Sequence, residues 1–161
     1  MGHIELRDLD DDDLDAIFEM MRDRAAVEMA AFTAADPDDR GAFDEWMTRH
    51  RAAPDVSMFV VTENGGFAGT AALFSVEGDR EVTYWIARHA WGRGVATEAL
   101  RILVSREPER PLFARVATHN AASLAVLTKL GFTEVSRDVD FAPGAGREVE
   151  EIVLVLVPTL E

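Results

Sequence analysis

A strand that leads through a loop with two glycines into a helix constrains the fold of this chain more than any other feature. The stretch covers residues 84–100 and reads YWIARHAWGRGVATEAL. Gly92 and Gly94 let the backbone turn tightly and approach a ligand closely, because no Cβ stands in the way. The first amides of the following helix lack partners within the helix, and together with its dipole they form an anion site that suits a pyrophosphate. Arg93 can add a positive charge.

Two common phosphate-binding loops do not fit this stretch. No Lys-Ser or Lys-Thr pair follows at the spacing of a P-loop. The third glycine of the dinucleotide-binding fingerprint is missing, and the loop follows a late strand of a predicted meander. A protein that binds a dinucleotide or a nucleoside triphosphate therefore stays only as a third hypothesis.

Hydrophobic periodicity predicts one α/β (α+β) domain over residues 1–161, with a mixed, mostly antiparallel sheet flanked by helices. Helices are predicted after the acidic run 10–13, around 43–50 with a start at 36–38, over 95–106 and over 121–129. Strands are predicted at 4–7, 58–63, 67–76, 81–87, 112–117, 133–141 and 148–157. The segment 25–35 is either helical or irregular.

Charge limits the partners that the chain can have. Lys and Arg number 16 and Asp and Glu number 30, for a formal net charge of -14. Such a field repels phosphate backbones and anionic membranes and attracts amines, so we expect neither a nucleic-acid nor a membrane partner. The acidity can also serve solubility alone.

Composition also limits the chemistry. The chain has no cysteine, which excludes a disulfide framework, a thiol nucleophile and thiolate metal ligands. The acidic run 10–13 is interpreted as the cap of the first helix and not as a metal site, so no metal is expected. Neither a signal peptide nor an apolar stretch of about 20 residues is visible, and a cytoplasmic protein is the default expectation.

Two blocks of the sequence resemble the motifs of a known family. Residues 91–100 resemble motif A of the GNAT superfamily, in the wording of the branch that contains the ribosomal-protein N-terminal (RimJ/RimL-like) acetyltransferases. Residues 120–123 and 126–132 resemble motif B of that branch, and residues 81–86 resemble the strand before motif A. The predicted element order also matches the family. The chain is therefore identified as a member, and the resemblance implies the GNAT acyl-CoA acyltransferase fold.

The resemblance implies that acetyl-CoA is the co-substrate. Its pantetheine arm would pair with the backbone of Trp85 and Ile86 like an added strand, and the amide of Ile86 would polarise the thioester carbonyl. The pyrophosphate would lie on the loop and the first turn of the following helix, with motif B beside the pantetheine. The other implied cofactor contacts are Trp91, Gly92, Arg93, Gly94, Val95, Ala96, Thr97, Asn120, Ser123 and Lys129.

Several of these residues have a purely structural alternative. Asn120 is a favoured helix cap, Ser123 can be an ordinary helix residue, and Lys129 can simply balance a helix C-terminus. Trp91 can shape the loop without touching the cofactor. Gly131 is expected to end the second motif's helix.

The implied reaction is direct attack of a primary amine on the thioester in a ternary complex. Glu81 is the candidate general base, and its alternative is a solvent-facing strand residue. Many family members carry a tyrosine seven positions after the motif B asparagine to protonate the thiolate, but Leu127 stands there. Ser123 or water is therefore the candidate acid, and Tyr84 is not assigned this role.

The sequence does not identify the acceptor. The branch suggests a peptide N-terminus, and small-molecule amines stay open; segments 25–54 and 141–147 are expected to wall the amine pocket. His89 and His119 are interpreted as surface loop residues. A homodimer is common in the branch. The alternative function, favoured by the missing tyrosine, is a non-catalytic module that binds or senses acyl-CoA.

Overall fold

A seven-stranded sheet flanked by helices forms the protein, as the computed structural model describes it for residues 2–158. The strand order is β1-β2-β3-β4-β5-β7-β6, and β4 and β5 are the parallel neighbours in an otherwise antiparallel sheet. The predicted fold class is thereby confirmed. The elements are β1 (Ile4–Asp8), α1 (Leu14–Met21), α2 (Arg24–Ala30), α3 (Arg40–Ala52), β2 (Ser57–Glu63), β3 (Gly66–Val76), β4 (Asp79–Ile86), α4 (Val95–Arg106), β5 (Leu112–Ala117), α5 (Ala121–Lys129), β6 (Thr133–Ala142) and β7 (Arg147–Leu156).

The acidic run caps a short 3-10 turn, Asp11–Asp13, that leads directly into α1, whereas α1 itself has no side-chain cap. The Asp10 carboxylate accepts from the Asp12 amide at 2.8 Å, and the Asp13 carboxylate accepts from the Asp10 amide at 2.9 Å. Arg7 donates to both oxygens of Asp13 at 2.7 and 2.8 Å, which lowers the pKa of that buried carboxyl. Within residues 2–158 no group of three metal-ligating side chains comes together, and every helix is too short or too polar to cross a bilayer.

The structure shows one helix in the segment that the sequence left undecided, and it moves the start of another. The undecided segment contains α2, whose first amides are capped by the Asp23 carboxylate, and becomes irregular after Ala30. Helix α3 begins at Arg40 and not at residues 36–38, because it is Asp39 whose carboxylate accepts from the Ala42 amide.

The helices divide between the two faces of the sheet. On the α4–α5 face, the side chains of α4 and α5 pack with alternate strand residues in the main core, which includes Leu100, Leu103 and Leu127. On the α1–α3 face, Ile17, Phe18 and Met47 form a second core under α1 and α3. The smaller helix α2 lies on the same face, where the Ala31 that follows it packs against β5.

A split opens in the middle of the sheet. Strands β4 and β5 pair only at Arg80 with Leu112 and at Glu81 with Phe113. From Val82 to the end of β4 the strand stays paired with β3 on its other side. The β5-facing side of β4 therefore has free backbone groups in a central position, where a folded sheet normally leaves none.

Candidate active site

A cavity of about 270 Å³ runs through the split between β4 and β5, and we call it the through-sheet cavity. It is lined from the α4–α5 face by Tyr84, Asn120 and Ser123. It is lined from the α1–α3 face by side chains that include Glu81 and Glu151. A ligand that enters from one face can therefore meet a second ligand that enters from the other.

The register of β4 decides which backbone groups point into the split. The amide of Ala87 donates to the carbonyl of Ala68 on β3 at 2.8 Å. Because bonded and non-bonded pairs alternate along antiparallel strands, the backbone groups of Trp85 face β3, whereas those of Ile86 face the split. Of the two residues predicted to pair with pantetheine, Ile86 has its amide in position, and Trp85 lines the cavity with its side chain.

Trp91 ties the loop before α4 to the end of β4. Its indole Nε1 donates to the carbonyl oxygen of Ile86 at 2.6 Å, while the side chain as a whole is 40% exposed. This bond engages the carbonyl of Ile86, so the amide of Ile86 is the backbone group that it offers to a ligand in the split. Trp91 thus shapes the loop, and its predicted contact with the cofactor stays a prediction.

The loop presents uncapped amides, as its sequence suggests. Gly92 and Gly94 have φ angles of 76° and 78°, in the left-handed region that favours glycine. Gly94 is the N-cap of α4, and no side chain caps that end. The amides of the first turn, at Val95, Ala96 and Thr97, are therefore available to an anion.

Arg93 is held by a carboxylate. Its guanidinium lies 2.7 and 2.9 Å from the two carboxylate oxygens of Glu63, at the end of β2, and also donates to the carbonyl of His89. Glu63 offsets most of the charge that Arg93 would offer a phosphate. The anion site therefore depends on backbone amides and the helix dipole more than on this side chain.

Motif B places Asn120 and Ser123 together but leaves Lys129 apart. The Oδ1 atom of Asn120 accepts from the Ser123 amide at 3.2 Å and caps α5, and its contact with the cofactor stays a prediction. Asn120 also lines the through-sheet cavity, where its amide group can still donate. Lys129 is exposed at the far end of α5, and Gly131, with a φ of 98°, follows that helix as expected.

A hydroxyl pair stands where the family's tyrosine is missing. The Tyr84 hydroxyl lies 2.7 Å from the Ser123 hydroxyl, and both residues line the through-sheet cavity. Burial raises the pKa of Tyr84, so the phenol keeps its proton at neutral pH. Leu127 lines the same cavity without a polar group. The sequence did not reveal this pair, because its members are 39 residues apart.

Glu81 shares an arginine with a second carboxylate. Arg115 Nε lies 3.3 Å from a Glu81 oxygen and Arg115 Nη1 lies 3.8 Å from a Glu151 oxygen. Glu81 is buried, so the solvent-facing alternative for it is wrong. Burial, with the neighbouring Glu81 charge, raises the pKa of Glu151. Sequence reasoning missed Glu151, although the three glutamates in the first half of strand β7, before its apolar second half, were a signal.

Of the two segments expected to wall the amine pocket, 25–54 lines a cavity on the α1–α3 face and 141–147 does not. A second cavity, of about 500 Å³, is lined by Phe32, Asp36 and Trp46 among others. The hairpin 141–147 lines neither this cavity nor the through-sheet cavity. It supports them instead, since the Gly144 amide donates to the Ala31 carbonyl at 2.8 Å and a Cβ at Gly144 would lie 2.3 Å from Thr33 Oγ1.

The two histidines near the motifs bond to backbone carbonyls outside the through-sheet cavity. His89 Nε2 lies 3.1 Å from the carbonyl oxygen of Phe67, and His119 Nε2 lies 2.8 Å from that of Glu28. Neither residue lines the through-sheet cavity or the second cavity. Both have the loop positions that the sequence suggested.

Comparisons with known proteins identify the family and the fold. The family model described as "Acetyltransferase (GNAT) domain" matches residues 3–133. No curated protein matches the sequence significantly. Solved structures do, and they share the fold. RimJ of Mycobacterium smegmatis, in complex with CoA-disulfide, has a TM-score of 0.84 at 22% identity, with 97% of this chain and 82% of that chain covered.

Two further solved structures differ from one another in acceptor. Spermidine N-acetyltransferase from Vibrio cholerae, in complex with CoA and spermine, has a TM-score of 0.79 at 20% identity, with 94% and 95% of the two chains covered. Ribosomal-protein-alanine N-acetyltransferase from Brucella melitensis has a TM-score of 0.73 at 24% identity, with 96% and 99% covered. At these identities, similarity shows the shared fold and leaves the acceptor open.

Proposed function

The chain belongs to the GNAT acetyltransferase family, and on this premise we propose that it transfers the acetyl group of acetyl-CoA directly to a primary amine in a ternary complex. One observation carries the proposal: the split in the sheet has an amide of β4 on one wall and opens beside the uncapped N-terminus of α4. The two features together suit a ligand with a diphosphate at one end and a thioester at the other.

The proposed cofactor site follows the α4–α5 face. The diphosphate accepts hydrogen bonds from the amides of Val95, Ala96 and Thr97, and the pantetheine arm fills the split beside β4. The Asn120 amide group donates to the pantetheine. The Ile86 amide donates to the thioester oxygen and stabilises the negative charge that develops there during attack.

The reaction forms one bond and breaks one. The neutral amine nitrogen attacks the carbonyl carbon of the thioester, the carbon–sulfur bond breaks, and the amine proton must leave while the thiolate gains one. Holding both reactants in the through-sheet cavity can supply about 7–11 kcal/mol in well-oriented systems. Neutralising an α-amine at pH 7 costs about 1 kcal/mol, whereas a lysine side chain costs about 4–5 kcal/mol.

Glu81 is the proposed general base, as the sequence suggested, and Glu151 is a second candidate. Glu81 lies at the point where β4 and β5 separate, but its carboxylate is engaged by Arg115. Glu151 lines the same cavity, and its raised pKa makes it a stronger proton acceptor than an ordinary glutamate. Replacing each glutamate by glutamine distinguishes them.

Ser123 is the proposed acid, with Tyr84 behind it. The serine hydroxyl gives its proton to the departing thiolate, and the phenol replaces that proton through the 2.7 Å contact. Water then returns a proton to the phenol, whose raised pKa favours the protonated form. A thiol with a pKa of about 8.5 also leaves tolerably well as a thiolate, so this proton transfer accelerates the reaction but is not required for it. The pair offers what the tyrosine missing at Leu127 would otherwise supply.

The test is a thiol-release assay with acetyl-CoA and a panel of amines, run beside a calorimetric measurement of cofactor binding. We expect saturable thiol release with at least one amine, and we expect Asn120→Ala to weaken cofactor binding. The second candidate function, a module that senses acyl-CoA, is favoured by the absence of a hydroxyl at Leu127. Tight binding without thiol release from any amine would support the sensor and contradict the enzyme.

A homodimer stays a prediction, and the edge strand β6 offers a surface for it. Val139 and Phe141 are 63% and 58% exposed on this strand. Long exposed strands with apolar side chains favour pairing with another chain. Light scattering of the purified protein tests this directly, since a dimer has twice the mass of one chain.

A further inference from the structure

An apolar cavity of about 190 Å³ adjoins the through-sheet cavity on the α1–α3 face. Its walls come from α1, α3 and strands β2 to β4. The two cavities share Phe74, Thr83, Tyr84 and Trp85. We call it the apolar cavity, and its other lining residues include Met21, Trp46, His50, Met58, Thr70 and Ala72.

The cavity matches one compact apolar group in size. An engineered apolar cavity of about 150 Å³ is large enough to bind benzene. At about 190 Å³, this cavity holds a phenyl ring or a branched alkyl group and little more. Met21, Met58 and Trp46 provide polarisable surfaces that suit an aromatic ring.

Charge is distributed unevenly between the two cavities. No Asp, Glu, Lys or Arg is among the described residues that line the apolar cavity. Glu81 and Glu151 lie in the through-sheet cavity, where they share Arg115. Two carboxylates and one guanidinium leave about one negative charge there, which complements a single ammonium group.

The apolar cavity still has a few polar groups that can orient a ligand. His50 Nδ1 lies 2.8 Å from the carbonyl oxygen of Trp46, so that nitrogen carries the hydrogen and Nε2 is the acceptor in the neutral ring. Thr70 and Thr83 add hydroxyls. Apolar walls with a few polar groups are typical of small-molecule sites.

We propose that the acceptor is a monoamine whose amino group is joined by a short linker to a phenyl-sized apolar group. The inference rests on the proposed acetyl transfer and goes further by naming the substrate class. The apolar group fills the apolar cavity, and the amine lies beside Glu81 and Glu151 at the split. A polyamine in the apolar cavity would place its further charges away from any carboxylate of that cavity's lining, which is costly.

The first experiment measures kcat/KM by thiol release for five acceptors with the wild-type chain. They are phenethylamine, ethanolamine, spermidine, and two peptides that begin with Phe and with Gly. We expect phenethylamine to exceed ethanolamine and spermidine at least about tenfold, since a buried apolar group provides such discrimination. The two peptides test whether the ring can belong to the first residue of a peptide as well as to a free amine. We expect kcat/KM for the Phe peptide to exceed that for the Gly peptide.

The second experiment fills the cavity. Ala72 is a buried residue of β3 on its wall, so Ala72→Leu should reduce the preference for phenethylamine over ethanolamine at least about fivefold. Ser75→Leu adds a leucine to the same strand at an exposed position outside the three cavities and should leave the preference unchanged. A ratio of acceptors is insensitive to the fraction of folded protein.

The outcomes separate the two proposals. Acetylation of spermidine or ethanolamine as efficiently as phenethylamine by the wild type would overturn the substrate class and leave acetyl transfer standing. An unchanged preference in a folded Ala72→Leu variant would overturn the assignment of the cavity. Binding of acetyl-CoA without thiol release from any acceptor would overturn acetyl transfer, and the substrate class with it.

Discussion

The two proposed ligand sites, one on each face of the sheet, are built by different means. On the α4–α5 face the proposed cofactor contacts are backbone amides, whose positions depend on Gly92, Gly94 and the start of one helix. On the α1–α3 face the cavities are formed by side chains from α1, α3 and five strands, β2 to β5 and β7. The proposed cofactor site therefore depends on residues that are adjacent in the sequence, whereas the proposed acceptor site forms only when distant elements pack together.

This difference predicts a large effect where the backbone itself is changed. Gly94 caps α4 with a φ of 78°, so valine there strains the loop and places methyl groups where the diphosphate is proposed to lie. We expect Gly94→Val to weaken acetyl-CoA binding about 100-fold or more, measured by calorimetry. Gly78→Val is the matched control, because Gly78 has a φ of 87° in the β3–β4 turn and faces open space. Equal affinity in both variants would contradict the site.

The hydroxyl pair at the split should affect turnover more than binding. Ser123→Ala and Tyr84→Phe are each expected to reduce kcat about 10- to 100-fold with little change in cofactor affinity. Because the two hydroxyls contact one another, the double variant should lose little more than either single variant. Fully additive losses would show that they act separately.

The carboxylates on the α1–α3 face should control the dependence on pH. Because its pKa is raised, Glu151 becomes a carboxylate only at a higher pH than an ordinary glutamate. If Glu151 is the base, kcat/KM rises as the pH passes that raised pKa. Glu151→Gln then lowers the rate about tenfold and abolishes this rising limb of the pH profile. If Glu81→Gln alone lowers the rate and the limb persists in Glu151→Gln, then Glu81 is the base.

Glu151 should also make stability depend on pH. Its folded state binds the proton more tightly than the unfolded chain does, so between the ordinary and the raised pKa the native state holds more protons and stability falls as the pH rises. Glu151→Gln removes this loss. We expect the melting temperature of the variant, relative to the wild type, to increase from pH 4 to pH 7, and a constant difference would contradict a raised pKa.

The smallest effect is expected for a charged side chain on the cofactor half. Arg93 is paired with Glu63, so Arg93→Ala removes little net charge from the anion site. Its effect on acetyl-CoA affinity should stay below about threefold. A loss as large as that of Gly94→Val would show that the guanidinium leaves Glu63 to bind the phosphates.

The sequence predicted the strands and long helices well, because periodicity and caps are local. It placed β5 at Leu112–Ala117 and α5 at Ala121–Lys129, and the structure agrees for both. It left α2 undecided, because a helix of seven residues is held more by packing than by its own pattern.

The site could be predicted only where it is formed by neighbouring residues. The two glycines and the Asn120 cap were readable because each acts within a few positions. The contact between Tyr84 and Ser123 and the group of Glu81, Arg115 and Glu151 join distant strands and helices. Such pairs depend on the register and on the split of the sheet, which no local pattern reveals.

The central claim is that the split between β4 and β5 holds the acyl end of acetyl-CoA. A crystal structure with CoA tests it most directly. We predict the diphosphate within hydrogen-bonding distance of the amides of residues 95–97 and the sulfur beside the Ile86 amide. Density for the diphosphate on any other surface, or a sulfur outside the split, would contradict this account.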